Sequence, residues 1–174
     1  MSRIDYPLTQ IKAVAFDIDG VLSPSTIPLG ADGVPCRMVN IKDGYALQLA
    51  VKQGLHICII SGATEPSLRA RYEGLGIKDV WLGVKMKLPR LREWMETLDL
   101  MPEEVAFVGD DIPDYESLRS VGLAVVPADA AVEVKEVARY ISPAQGGYGV
   151  ARDLLEQLLK ARGQWMSSHE AFGW

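Results

Sequence analysis

The chain has 174 residues, 48% apolar and 24% charged, enough for a single domain with its own core and close to the ~25% charge of ordinary soluble domains. Eighteen Lys and Arg stand against 23 Asp and Glu, a formal net charge of −5, which argues against a general nucleic-acid binder because that needs a basic face for phosphates. Cys36 and Cys58 are too few for a disulfide framework, no run approaches the ~20 apolar residues of a membrane span, and residues 1–10 lack the apolar stretch of a signal peptide, so the expectation is a cytoplasmic protein with no membrane or nucleic-acid partner.

In chain order, residues 11–16 form an apolar run read as the first strand, followed by Asp17-Ile18-Asp19-Gly20. Residues 26–40 interrupt the pattern with two β-like pieces around Ala31-Asp32-Gly33, where Asp-Gly signals a turn, and read as a projecting β-hairpin. A helix over 44–53 leads to a second strand at 55–60 that ends at Ser61-Gly62. A helix over 65–75, a strand at 80–82 and a helix over 87–98 come next; the last carries Leu88, Leu91, Trp94, Met95 and Leu98 at helical spacing. The fourth strand, 105–108, runs into Gly109-Asp110-Asp111-Ile112-Pro113-Asp114, ahead of a helix over 115–121 and a strand at 123–126. A helix over 150–161 precedes a tail, 163–174, whose Trp165, Met166, Phe172 and Trp174 suggest docking on a surface, such as a neighbouring subunit.

The strands are short, Val- and Ile-rich and without alternation, as expected when both faces are buried. Strands alternating with helices imply right-handed crossovers and a doubly wound, Rossmann-like parallel α/β sheet, one domain over 1–174. In such sheets ligands bind beyond the carboxyl ends of the strands. Five carboxylates (Asp17, Asp19, Asp110, Asp111 and Asp114), the Ser61 hydroxyl and Lys87 converge on that edge.

An isolated Asp after a strand is ordinarily a cap or turn residue, which covers Asp43 or Asp79. It explains Asp17 and Asp19 poorly: spaced i, i+2 on extended chain they share a side and repel unless a metal or proton intervenes. All-oxygen donors favour a hard ion, and Mg²⁺ is the usual choice beside a phosphate. Phosphoryl transfer fits the set: an Asp can attack phosphorus, a metal and a lysine can neutralise the transferring group, and a second carboxyl can protonate the leaving alcohol.

These segments resemble, in order, the four motifs of the haloacid dehalogenase superfamily of phosphatases: Phe16-Asp17-Ile18-Asp19-Gly20-Val21-Leu22, Ser61, Lys87, and Gly109 to Asp114. Within it, Asn40-Ile41-Lys42-Asp43-Gly44-Tyr45, Leu75-Gly76-Ile77, Val105 to Asp111 and Gly146-Gly147 are similar to segments of the 3-deoxy-D-manno-octulosonate 8-phosphate (KDO 8-phosphate) phosphatases. The resemblance implies a fold without a cap domain and a homotetramer in which a neighbour covers the active site. It implies a Mg²⁺ enzyme acting on a small phosphorylated sugar acid, and through it lipopolysaccharide biosynthesis.

By the same resemblance Asp17 is nucleophile and metal ligand, Asp19 is general acid/base with its carbonyl on the metal, and Asp110 completes the metal ligands. Asp111 and Asp114 orient waters or Lys87. Ser61 and Lys87 hold the phosphoryl group, and Gly62, Asn40, Ile41, Lys42, Asp43, Gly44 and Arg71 contact substrate. The chain departs from the pattern where many relatives carry arginines: it has Ala63, Gln48 and Tyr148. Lys42, Arg37, Arg69 and Arg152 are the substitute cations available. A nonulosonate 9-phosphate is the rival substrate. A catalytically silent regulatory subunit and a phosphate-holding receiver domain are the rival classes; the complete set Asp17, Asp19, Ser61, Lys87 and Asp110 speaks against the first, and Asp19 against the second.

Overall fold

Among the described residues six short parallel strands form one sheet: β1 (Ala13–Phe16), β2 (His56–Ile60), β3 (Asp79–Trp81), β4 (Val105–Val108), β5 (Leu123–Val126) and β6 (Tyr140–Ile141). Their spatial order is β3-β2-β1-β4-β5-β6. The computed structural model describes residues 3–174, apart from the side chain of Glu170. β1 pairs with β2 on one side and β4 on the other, Val14 standing level with Ile57 and Ala106.

Among the described residues six α-helices cover the sheet: α1 (Ile41–Lys52), α2 (Pro66–Glu73), α3 (Lys87–Thr97), α4 (Tyr115–Arg119), α5 (Val132–Val137) and α6 (Val150–Ala161). Because side chains alternate along a strand, each strand feeds two cores. Val14, Phe16, Ile57, Ile59 and Val108 pack under α1, α2 and α6. Ala13, Ala15, Cys58, Ile60 and Phe107 pack under α3, α4 and α5. β1, β4 and β5 are buried throughout, which is why they read as unbroken apolar runs. The chain winds outward from β1 on one face and from β4 on the other, so the crevice between these two carboxyl ends is the switch point where this architecture places ligands.

Residues 26–40 hold less sheet than expected. The excursion turns back, with Gly30 N–H donating to Val34 O and Cys36 N–H to Pro28 O, both at 2.8 Å. Among the described residues its ladder is the single antiparallel bridge Leu29↔Pro35. Pro28 and Pro35 have no N–H to extend it. The structure adds α5 and β6, which the sequence reading passed over: six and two residues are too few to show a period. It starts α1 three residues early because Asn40 caps it, Oδ1 accepting from the N–H groups of Lys42 (2.9 Å) and Asp43 (3.3 Å). α4 ends at Arg119, two residues short of the expected boundary.

Candidate active site

The loop after β1 is wound tightly, Ile18 O accepting from the N–H groups of Val21, Leu22 and Ser23. Asp17 and Asp19 both line a cleft of about 520 Å³ at the switch point, together with Ser61, Gly62, Lys87, Asp110, Asp111 and Asp114. Gly20 follows at φ +78°, a left-handed conformation, and a Cβ there would collide with the Asp110 carboxylate. Gly109 leaves the space that the Asp114 carboxylate fills, 2.5–2.6 Å from where a Cβ would stand. Both glycines thus let acidic side chains crowd one point.

Lys87, the first residue of α3, enters this crowd buried. Its Nζ lies 2.7 Å from Asp17 Oδ2 and 2.6 Å from Asp114 Oδ1. The other Asp114 oxygen accepts from Asp110 N–H at 3.0 Å and Asp111 N–H at 3.5 Å. Asp114, 1% exposed, is therefore occupied on both oxygens, and it fixes the loop that presents Asp110. Ligand oxygens of Asp17, Asp110 and Asp114 fall within 4.8 Å of one another.

Three carboxylates share one ammonium, and the electrostatics record the imbalance. Burial, then Asp114, push Asp17 up to about 7, against the pull of Lys87. Burial, then Asp114, Asp17 and Asp111, push Asp110 up to about 8. Burial opposes the charge of Lys87, but Asp17 and Asp114 together outweigh it and hold the lysine above its ordinary value. Two carboxylates this reluctant to ionise, with oxygen donors only, fit a hard divalent cation: Asp17 and Asp110 would hold it, while Asp114 is the most heavily bonded of the three, with Lys87 and two backbone N–H groups.

Asp19 faces the cleft differently. Its side chain is 44% exposed and both oxygens are taken by Arg37, from Nε at 2.7 Å and Nη2 at 2.8 Å. Ser61 is buried at the end of β2, its N–H on Trp81 O and its Oγ accepting from Ala63 N–H at 3.2 Å.

The other expected contacts lie apart. Asn40, Asp43, Gly44 and Arg71 line a separate narrow crevice with Tyr72 and Leu75. Asn40 caps α1 and donates from Nδ2 to Gly147 O at 3.1 Å. Asp43 is buried, and its Oδ1 accepts from Arg152 N–H at 2.7 Å, so it caps α6 from a neighbouring helix. Burial raises its pKa to about 6 despite the backbone N–H groups of Arg152 and Gly149. Ile41 is 58% exposed and Lys42 is exposed beside it. The structure thus gathers Asp19, Gly62 and Lys87 into the cleft and leaves 40–44 and Arg71 outside its walls. It adds Ser25 and Lys85 to those walls. In sequence Lys85, two residues before Lys87, has the look of an ordinary solvated helix-start residue, and Ser25 sits among turn-forming residues with no chemical signal.

The tail docks on its own chain. Trp165 and Trp174 both meet the Tyr45 ring edge-on, at centroid distances of 6.1 and 6.2 Å. The Tyr45 hydroxyl donates to Ala171 O, and Arg152 stacks over Trp165 at 4.6 Å. Gln48, at one of the expected arginine positions, donates to Gly173 O at 3.4 Å.

A family profile described as haloacid dehalogenase-like hydrolase matches residues 83–154. The chain is 34% identical over 154 residues to the 3-deoxy-D-manno-octulosonate 8-phosphate phosphatase of Escherichia coli K12, covering 88% of this chain and 82% of that one. The corresponding phosphatase of Moraxella catarrhalis, solved with magnesium, phosphate and KDO, superposes with a TM-score of 0.88 at 28% identity, covering 96% of each chain. A cobalt-bound form from Haemophilus influenzae gives a TM-score of 0.88 at 28% identity, over 95% of this chain and 98% of that one.

Proposed function

The chain belongs to the haloacid dehalogenase-like hydrolases and is a phosphatase of that family, and from this premise we propose that it hydrolyses KDO 8-phosphate to KDO and phosphate, with Mg²⁺, through an aspartyl-phosphate on Asp17. The observation that carries the chemistry is Lys87 gripping Asp17 at 2.7 Å in a cleft that Asp19 also lines. The lysine aims one carboxylate and stands ready to pair with the phosphoryl oxygens.

In the first step an Asp17 oxygen attacks phosphorus, the bond from phosphorus to the sugar oxygen breaks, and Asp19 gives its proton to that leaving oxygen. In the second, Asp19 takes a proton from water, the water oxygen attacks phosphorus, and the acyl phosphate bond breaks to release phosphate and restore Asp17. Ser61 and the backbone around Gly62 would hold the phosphoryl group, while Asp114 keeps Lys87 and the Asp110 loop in place. Asp17, Asp110 and the Asp19 carbonyl would hold Mg²⁺, which would supply the positive charge that lets an anionic nucleophile meet a phosphate dianion.

The substrate assignment is supported by relatives named for KDO 8-phosphate and by one solved with KDO. Assembly as a homotetramer goes with it: the chain has no cap insert, and Leu29, Val34, Met38, Val39 and Ile41 present apolar surface along and just after the excursion at 26–40. One observation favours a second reading. Ala63 stands where many such phosphatases have an arginine, and Gln48 is turned to the tail, so a longer nonulosonate 9-phosphate becomes the rival. Kinetics on both sugar-acid phosphates decide between them. The proposal expects the higher kcat/KM for KDO 8-phosphate, and a clear preference for the nine-carbon substrate overturns it.

A further inference from the structure

We infer that Arg37 is the positioning residue for Asp19, and that the excursion at 26–40 serves catalysis by carrying this guanidinium to the cleft. The inference rests on the acid/base role of Asp19 proposed above. Arg37 spends three donors on two carboxylates: Nε and Nη2 grip the two Asp19 oxygens at 2.7 and 2.8 Å, and Nη1 binds Glu65. The arginine side chain is only 10% exposed, whereas Asp19 is 44% exposed. A buried planar fork thus fixes the direction of a carboxylate whose other side faces solvent.

The backbone on both sides of the fork is anchored. Met38 N–H donates to Ser23 Oγ at 3.0 Å, and Ser23 is fully buried. Ser23 also bridges back to Asp19, so the loop bearing the acid and the segment bearing the arginine share one attachment. Glu65 breaks a local rule to join them. It is the N-cap residue of α2, where Ser, Thr, Asp or Asn would be favoured, yet its side chain makes no cap bond to that helix. One of its oxygens takes Thr64 N–H at 3.0 Å and the other takes Arg37. The Glu65 side chain thus serves the arginine and the adjoining turn and leaves its own helix uncapped.

Asp19 shares the cleft with Asp17, Asp110, Asp111 and Asp114, and the two arginine bonds hold its carboxyl group in one direction there. A carboxylate offers about four acceptor positions. The two arginine bonds take one on each oxygen and leave one on each, enough to carry the proton that passes to the leaving oxygen and to accept the proton of the attacking water. Lysine at 37 would keep the charge and lose the fork.

The test compares kcat/KM on three substrates: KDO 8-phosphate, a neutral hexose 6-phosphate and p-nitrophenyl phosphate. The first two have poor alkoxide leaving groups and need a proton; the aryl phosphate does not. Because general acid help is worth ~10²–10⁴-fold and misplacement forfeits part of it, Arg37→Ala should lower kcat/KM by ~10–10²-fold on both alkyl phosphates and by less than about threefold on the aryl phosphate. Glu65→Gln should show the same pattern more weakly, and added guanidinium should restore part of the loss in Arg37→Ala. Arg37→Ala on an Asp19→Asn background should cost nothing more. An equal fall on all three substrates, or no fall, overturns the inference, and so does a fall confined to the sugar acid, which would make Arg37 a carboxylate receptor. Asp19→Asn run alone separates the premises: without its own leaving-group dependence the acid/base role falls and takes the inference with it, whereas that dependence in Asp19→Asn but not in Arg37→Ala removes the inference alone.

Discussion

Lys87 makes two ion pairs within 2.7 Å, and those two pairs set what each aspartate in the cleft can do. Asp114 accepts three hydrogen bonds, from the lysine and from two backbone N–H groups, so its place is to hold others. Asp17 carries one bond on each oxygen, Lys87 on Oδ2 and Ile18 N–H on Oδ1, both at 2.7 Å, and so keeps an acceptor position on each for chemistry. The change Asp17→Asn preserves shape and removes one of three crowded carboxylates. Turnover should fall by more than about 10³-fold, as when a nucleophile is removed, while the thermal unfolding midpoint stays at or above that of the parent. A variant folded and still active within about an order of magnitude contradicts the assignment.

Elements, more than side chains, decided what could be read from the sequence. The strands with both faces buried were legible because β1, β4 and β5 are unbroken apolar runs, and α6 was legible to the residue because its apolar stripe is complete. The cleft was legible wherever a polar residue closes such a run, as Asp17 and Ser61 do directly and Asp110 does one glycine later. Asp43 shows where reading stops: its motif neighbourhood suggested substrate, but it lies outside the cleft walls and caps α6 across the gap between two helices, a relation that no spacing in the chain encodes. Arg37 pairs with residues 18 before and 28 after it, and no periodicity announces such a triad.

The cap has a measurable signature. The pKa of Asp43 is raised in the folded chain to about 6, chiefly by burial, so the folded state binds more protons than the unfolded state between about pH 4 and 6. Stability from this group is therefore full below the unfolded value and is lost as pH rises through the folded one, on the order of 2–3 kcal/mol. Asp43→Asn should flatten that part of the profile. Unfolding midpoints for both chains from pH 4 to 7 check it, and parallel profiles would contradict it.

At the scale of the whole molecule the acidic cleft is a folding liability that a cation relieves. Asp17 and Asp110 are both raised, chiefly by burial and then by Asp114. By the same sign, the metal-free chain loses stability as pH climbs from the unfolded carboxylate range through about 7 and 8. Mg²⁺ needs the ionised forms, so its binding strengthens over the same interval. The rise in unfolding midpoint on adding Mg²⁺ should grow from pH 6 to pH 9, and chelation should abolish phosphate release. A magnesium effect independent of pH would mean that these carboxylates do not hold the ion.

The most direct test of the account is to catch the phosphoryl group on the enzyme. In Asp19→Asn the second step loses its base while an aryl phosphate still completes the first. Mixing this variant with p-nitrophenyl phosphate and Mg²⁺, quenching, and reducing with borohydride should convert Asp17 to homoserine, read by peptide mass spectrometry. Homoserine at 17, dependent on Mg²⁺ and absent from an Asp17→Asn, Asp19→Asn double variant, is the predicted result. Turnover with no phosphoryl group on Asp17 at any time, or with one carried by another residue, would contradict the account.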